Sequence, residues 1–155
     1  MIRGSSKYKP LVDRWSGFLC AMGRNGLALS PELIPPRISH GPDKGYLEMV
    51  TLLDLPIPPT AVFACSDMTA VRAMDAIRER GLRVPQDISV VGFDDFPEAS
   101  YQNPPLTSVK LPMTELGRFA ALRLLSLMDG KEPQPYASVL PTQLIIRESS
   151  AAKGE

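Results

Sequence analysis

Two short apolar runs decide the fold: AVFAC at residues 61–65, followed by Ser66-Asp67, and ISVVGF at residues 88–93, followed by Asp94-Asp95. Neither run alternates apolar with polar residues as a half-exposed strand does, so both predict strands inside a parallel sheet covered on its two faces. The intervening residues have the periodicity of an amphipathic helix that starts near Ser66-Asp67. The sequence therefore predicts an α/β fold built on a βαβ unit, with helices on both faces of a Rossmann-like sheet.

The polar residues that follow these runs point to a ligand-binding rim. The carboxyl ends of parallel strands lie at the same edge of a sheet, where open α/β folds bind small molecules. Paired carboxylates at such an edge either grip a polyhydroxylated ligand, hold a divalent cation or cap the next turn. We favour Asp94 for the ligand, because successive side chains at a strand exit diverge and only one of the pair faces the cleft. Ser66 and Asp67 also have the form of a helix start, which leaves their role open.

Composition bounds the class of protein. The 155 residues suffice for one domain with a real core, and 44% of them are hydrophobic. Lysine plus arginine equal aspartate plus glutamate at 17 each, without a basic block, so DNA binding by this chain has no electrostatic basis. Cys20 and Cys65 fall in apolar patterns and predict unpaired cysteines in a reducing, cytoplasmic setting. No run approaches the roughly 20 apolar residues of a membrane span.

Four helices and several short strands complete the predicted organisation. Apolar spacing predicts helices over residues 11–25, around 46–53, after Ser66 and over 114–128, and further strands at 37–39, 106–110, 139–140 and 144–146. The second helix is expected to turn Tyr46, Leu47, Val50 and Leu53 inward. The fourth helix has an apolar arc wider than packing on one sheet requires, which predicts a partner surface.

The sequence pattern gives weaker support for the other candidate site residues when each is considered alone. Arg14 lies at the boundary of the apolar stripe of the first helix, so its guanidinium is either aimed into a neighbouring cleft or extended along the surface beside Trp15. His40 is the single histidine and has no second ligand at zinc-site spacing. No serine has a nucleophile-elbow context, and no glycine-rich phosphate loop is present. We therefore expect no metal, no cofactor and no enzyme activity.

Several linked motifs resemble the effector-binding core of the lactose/galactose repressor family of bacterial transcriptional regulators. The longest is GLRVPQDISVVGFDD at residues 81–95. RWSGF at 14–18 resembles the family's arginine-x-x-glycine-aromatic helix start, and PTAVF at 59–63 its strand before the Ser/Asn-Asp turn. PPLTSV at 104–109 and RES at 147–149 resemble its crossover strand and its terminal signature.

The resemblance implies a two-lobed fold like that of periplasmic sugar-binding proteins, which closes on a sugar or nucleoside-like effector. By matching motif, the effector-binding residues would be Arg14, Asp94, Ser66, His40 and Tyr8. Asp67 and Asp95 fit structural duties better. The resemblance further implies a cytoplasmic homodimer without membrane contact. Three positions depart from the family pattern, with serine at 66 instead of asparagine, histidine at 40 instead of a large aromatic residue, and leucine at 111 instead of glutamine.

The matching region corresponds to the second half of a full-length repressor. Residues 1–155 are therefore expected to form a partial effector-binding domain, mostly the second lobe, in which residues 111–137 resemble elements of the first lobe. DNA would be reached only through a DNA-binding domain that this chain lacks. Two alternatives stay open: a fragment of a periplasmic sugar-binding protein for transport, and a metal-dependent phosphate-handling enzyme that uses Asp67, Asp94 and Asp95.

Overall fold

The computed structural model describes residues 1–5, 7–36, 43–132, 135 and 137–152. Its elements, in chain order, are α1 (Lys9–Arg24), α2 (Tyr46–Leu53), β1 (Ala61–Phe63), α3 (Asp67–Glu79), β2 (Ser89–Asp94), β3 (Thr107–Lys110), α4 (Met113–Met128) and β4 (Gln143–Ile145). Short 3-10 turns cover Pro31–Leu33 and Pro97–Tyr101. Among the described helices, none combines the length and the apolar character needed to span a bilayer.

The four strands form one sheet in the order β1-β2-β3-β4. The pairs β1-β2 and β2-β3 are parallel, which confirms the predicted βαβ unit with α3 as its crossover. At one edge β4 pairs antiparallel with β3, and at the other Ile2 forms a parallel bridge with Ala64. Residues 139–140 are not a strand, since the chain enters the sheet only after Pro141, which cannot donate a ladder hydrogen bond. The strand predicted at 37–39 lies outside the described residues.

One face of the sheet is packed against α3, which in turn packs against α2. The apolar side chains that meet there are each no more than 3% exposed: Met49, Leu52, Val62, Ala70, Met74, Ile77 and Val90. Full burial of such side chains contributes roughly 1.5–3 kcal/mol each for the larger ones. This layer is therefore the core on which the rest of the chain is assembled.

The buried face of α2 differs from the sequence prediction. The structure buries Glu48, Met49, Leu52 and Leu53, while Leu47 is 39% exposed, so the predicted inward position of Leu47 was wrong. Glu48 turns inward because its carboxylate accepts a hydrogen bond of 2.8 Å from the backbone N–H of Gly45. Such a bond satisfies one of the N–H groups that a helix start leaves without a partner, and it thereby offsets the free-energy cost of burying a polar side chain.

The opposite face of the sheet is covered more loosely by α1. Trp15 stacks on Phe18 at 5.8 Å between ring centroids, and Phe18 stacks on Phe63 of β1 at 6.0 Å. Phe63 in turn lies 6.5 Å from Phe93 of β2. Helices therefore lie on both faces, as predicted, although no residue of α1 is fully buried. An aromatic row rather than a closed aliphatic layer joins α1 to the sheet.

Helix α4 carries the widest exposed apolar surface in the described part of the chain. No α4 residue is buried. The exposed fractions lie between 42% and 74% for Leu116, Phe119, Leu122, Leu124, Leu125, Leu127 and Met128. Exposed apolar patches of this extent are rare on monomers and mark interaction surfaces. The wide apolar arc predicted from the sequence is thus present on the surface of this chain.

Gly92 of β2 is expected to be essential for packing. A Cβ at this position would lie 2.3 Å from Oδ1 of Asp67 and 3.0 Å from Cδ2 of Leu106. We expect Gly92→Ala to destabilise the chain by about 1–3 kcal/mol, because the overpacked site must shift. Gly117→Ala is the control, since a Cβ there meets nothing within 4 Å, and in a helix it should stabilise by about 0.5–1 kcal/mol. Urea denaturation measures both changes, and equal stabilities would contradict this packing account.

Candidate functional site

The polar residues that directly follow β1 and β2 lie together, as predicted, at the carboxyl-terminal edge of the sheet, which is the rim. Ala61 pairs with Ser89 and Phe63 with Val91, so both strands end at the same edge. Arg14 of α1 bridges the two exits, which lie 51 and 80 residues away from it in the chain. The rim therefore combines groups from a helix and two strand exits.

Arg14 is held by three contacts. Its Nη1 donates a hydrogen bond of 2.6 Å to the carbonyl oxygen of Cys65, and its Nη2 donates one of 2.9 Å to Oδ1 of Asp94. Its Cζ lies 3.9 Å from the centroid of the Phe93 ring. The side chains of Arg14 and Asp94 are each only 14% exposed. Of the two orientations left open by the sequence, Arg14 therefore adopts the one aimed into the rim.

Asp94 lies in an environment that opposes its charge. Burial raises the pKa of Asp94 above its ordinary value of 3.8, the Arg14 guanidinium acts against this rise, and the nearby charge of Asp67 adds to it. Its backbone is also unusual, with φ of 121°, and Asp95 follows with φ of 55°. Positive φ at residues other than glycine costs about 1–3 kcal/mol each and persists only where surrounding contacts enforce it. Such costs concentrate at functional sites.

Asp95 faces away from Arg14 and takes a structural role. Its Oδ1 lies 2.7 Å from Nη2 of Arg147, and its side chain is only 8% exposed. The contact is an ion pair without the alignment of a hydrogen bond. Arg147 is fixed in turn by donating from Nη1 to the carbonyl oxygen of Leu106 at 2.7 Å. The two adjacent carboxylates therefore diverge as expected, each to its own arginine.

Ser66 acts as the N-cap of α3. Its hydroxyl accepts a hydrogen bond of 3.4 Å from the N–H of Thr69 and lies 2.9 Å from the Thr69 hydroxyl. Since Arg14 binds the carbonyl of the preceding Cys65, Ser66 lies next to the Arg14 anchor in the chain. A hydroxyl has one donor and two acceptor sites, so the cap does not exhaust the bonding capacity of Ser66.

The remaining two predicted site residues are not brought into this cluster. Tyr8 precedes α1, is 65% exposed, and its side chain makes no hydrogen bond or ring contact with the other described residues. His40 lies outside the described residues. The structure therefore brings together Arg14, Asp94 and Ser66 but does not join Tyr8 to them.

Sequence reasoning missed Phe93 and Lys110. Phe93 forms the platform under Arg14, and Lys110 pairs with Asp94 across β2 and β3. Lys110 and Leu111 line a cavity of about 460 Å³ together with Asp94 and the start of α4. An aromatic residue directly before the site aspartate was a usable signal for an arginine platform, because guanidinium groups stack on aromatic faces. In the ranges that the structure describes, no group of three or more His, Cys, Asp or Glu residues could hold a metal ion.

Comparison with protein families matches residues 1–150 to the periplasmic binding protein-like domain. The HTH-type transcriptional repressor CytR of Escherichia coli strain K12 is 39% identical over 139 residues, which are 90% of this chain and 40% of that protein. The transcriptional regulator CelR of Thermobifida fusca is 38% identical over 141 residues, covering 89% of this chain and 40% of that protein. The chain spans less than half the length of the curated relatives it matches.

Solved structures give the same result for the fold. The structure of a CelR–cellobiose complex superposes with a TM-score of 0.87 at 35% identity, covering 96% of this chain and 45% of that one. The structure of a sugar-binding transcriptional regulator of the LacI family from Escherichia coli superposes with a TM-score of 0.84 at 35% identity, covering 95% of this chain and 52% of that one. The expected resemblance to the effector-binding region of the lactose/galactose repressor family is thereby confirmed.

The raised pKa of Asp94 gives a pH dependence with a definite sign. The folded state holds this proton more tightly than the unfolded chain, so the contribution of Asp94 to stability is complete below about pH 3.8 and is lost as the pH rises through the folded pKa. Asparagine is neutral at every pH. We therefore expect Asp94→Asn to have a higher Tm than wild type at about pH 7. At about pH 3 this difference in Tm should disappear, because Asp94 is then protonated. Thermal melts at both pH values measure it, and an advantage that is larger in acid would contradict the assigned burial.

Proposed function

The chain belongs to the family of periplasmic binding protein-like domains, and we propose that it is the effector-binding and dimerisation region of a bacterial transcriptional regulator of the lactose/galactose repressor type. The observation that carries this proposal is the Arg14–Asp94 pair, which is largely buried at the rim and whose Asp94 lines a cavity of about 460 Å³. The curated relatives CytR and CelR, which are transcriptional regulators, support the same function.

The chemistry of the pair suits a neutral polyhydroxylated effector, a sugar or the ribose of a nucleoside. A guanidinium has five N–H donors, of which Arg14 uses two on Cys65 and Asp94. The others are free to donate to ligand hydroxyls, while Asp94 accepts from them. The charges of Arg14 and Asp94 neutralise each other, so this pair by itself does not favour an anion over a neutral ligand. Ser66, Tyr8 and His40 are proposed as further polar and wall contacts.

In this proposal the chain provides mostly the second lobe of a cleft. Buried small ligands usually have most of their surface covered, so a complete site needs a second wall. The first lobe would close over the rim, with residues 111–137 counted among its elements. DNA contact requires a separate DNA-binding domain, the setting is cytoplasmic, and neither a cofactor nor turnover is involved.

The engagement of the acidic groups argues against a metal-dependent enzyme. Asp67 binds two hydrogen-bond donors of the protein, and Asp95 is paired with Arg147. Asp94 already faces the Arg14 guanidinium at 2.9 Å, which is the place that a divalent cation would have to take. The three carboxylates are therefore committed to the protein rather than arranged as a hydrated cation site.

A thermal-melt panel of sugars, sugar phosphates, nucleosides and small acids tests the proposed function. A ligand at about 100 times its Kd adds roughly 2.7 kcal/mol, which shifts Tm by several degrees in a chain of this size. We expect one neutral polyhydroxylated compound to shift the wild type, and Asp94→Ala to abolish the shift. Asp13→Ala is the matched control, because Asp13 lies one residue from Arg14 but pairs with Lys9 at the surface.

Two results would contradict the proposal. A cooperative wild-type melt that no compound moves would mean that this rim is not a competent receptor. A shift that persists in Asp94→Ala would place the ligand elsewhere.

We further propose that the chain self-associates, because the exposed apolar side chains of α4 favour a partner over water. The solved structure of a dimeric Lac repressor, 31% identical and superposing with a TM-score of 0.85, covers 98% of this chain and 54% of that one. Phe119→Glu is expected to shift sedimentation velocity toward monomer, whereas Thr114→Glu is the charge-matched control near the helix start. A wild type that is monomeric at high concentration would exclude self-association.

A further inference from the structure

A buried carboxylate lies beneath the rim without reaching it. The Asp67 side chain is in the first turn of α3, and the residue is only 3% exposed. Its Oδ1 accepts a hydrogen bond of 2.5 Å from the Ser108 hydroxyl on β3, and its Oδ2 accepts one of 2.9 Å from the backbone N–H of Phe96. The positive end of the α3 dipole also favours an anion at this position. Asp67 therefore ties α3 both to β3 and to the loop after β2.

Ser108 completes this connection. While its hydroxyl donates to Asp67, its oxygen accepts a hydrogen bond of 3.2 Å from the backbone N–H of Asp95. Asp67 and Ser108 together thus bind the N–H groups of Asp95 and Phe96, two consecutive residues of the loop. Gly92 leaves the space for the carboxylate, because a Cβ there would lie 2.3 Å from Oδ1 of Asp67.

The loop that they hold is the one that orients Asp94. Its backbone takes φ of 121° at Asp94 and 55° at Asp95, a conformation that L-residues adopt only when other contacts enforce it. The enforcing hydrogen bonds at Asp95 and Phe96 act immediately after Asp94. They fix the direction in which the chain leaves β2, and with it the direction of the Asp94 carboxylate toward Arg14.

We infer that Asp67 and Ser108 are positioning residues of the rim, which set the Asp94 carboxylate against Arg14 without touching a ligand. The inference deepens the proposed function and rests on it for its purpose, since the pair that is positioned is the proposed effector contact. The positioning itself is measurable without any ligand.

The test is a double-mutant cycle on the Arg14–Asp94 pair in the full 155-residue chain. Urea denaturation of wild type, Arg14→Met, Asp94→Ala and the double variant gives the coupling between the two side chains, because alanine leaves Arg14 no acceptor at position 94. We expect a coupling of roughly tenfold to a hundredfold in the unfolding equilibrium constant, as for a largely buried charge-assisted bond. Repeated in a Ser108→Ala background, the coupling should fall at least about threefold, because the loop no longer holds Asp94 in place.

Ser149→Ala provides a matched background. Ser149 and Ser108 are both 0% exposed, and each hydroxyl makes two hydrogen bonds. The hydroxyl of Ser149 accepts from the N–H of Thr107 at 2.8 Å and donates to the carbonyl of Val90 at 2.6 Å, away from the loop after β2. Loss of a buried hydroxyl should therefore destabilise both backgrounds, while only Ser108→Ala weakens the Arg14–Asp94 coupling.

Asp67→Ala is the second variant, to be used if Ser108→Ala does not fold cooperatively. Alanine removes both carboxylate oxygens, so neither the Ser108 hydroxyl nor the N–H of Phe96 keeps its acceptor. We expect the same fall in coupling. An Arg14–Asp94 coupling that is unchanged in these backgrounds, or that falls equally in Ser149→Ala, overturns the inference.

The proposed function and the inference fail in different ways. If no sugar or nucleoside of the panel shifts the wild-type melt while the coupling disappears in Ser108→Ala, the effector role fails and the positioning stands. If a compound shifts the melt but the coupling survives in Ser108→Ala, the positioning fails and the effector role stands.

Discussion

The parallel pairing of β1 with β2 is the constraint on which the rest of the structure depends. Because Ala61 pairs with Ser89 and the strands run the same way, both strand exits open at one edge. A parallel pair also requires a crossover, and α3 supplies it while its buried face forms the core. Ser66 and Asp67 therefore start the crossover helix at the same rim where Asp94 ends β2.

Placing the Arg14–Asp94 pair at the rim has energetic costs, which fall mainly on Asp94. Asp94 combines burial, a raised pKa and a positive φ, each of which has a cost on its own. The offset comes from Arg14 on one side and from the buried hydrogen bonds of Asp67 and Ser108 on the other. Departures from local preference that surrounding contacts repay are the usual mark of a binding site.

The faces of the sheet are covered unequally, and this bears on assembly. The α2–α3 side is a closed apolar layer, the α1 side is an aromatic row, and α4 leaves its apolar side chains exposed. The chain spans less than half the length of the relatives it matches, and about half that of the dimeric Lac repressor structure. An apolar surface that this chain does not cover itself is consistent with further packing partners in the proposed dimer or first lobe.

The sequence by itself determined the βαβ unit, the rim and Asp94 as its main candidate, because strand periodicity and acidic exits are local properties of the chain. It also located α1, although not the direction of Arg14, which depends on Cys65 and Asp94 far along the chain. The inward turn of Glu48 accompanies a local bond to Gly45, three residues earlier, whereas tertiary structure alone decided the Asp67–Ser108 bond. The latter joins residues 41 positions apart, and no local periodicity encodes a contact that arises only when β3 docks beside β2.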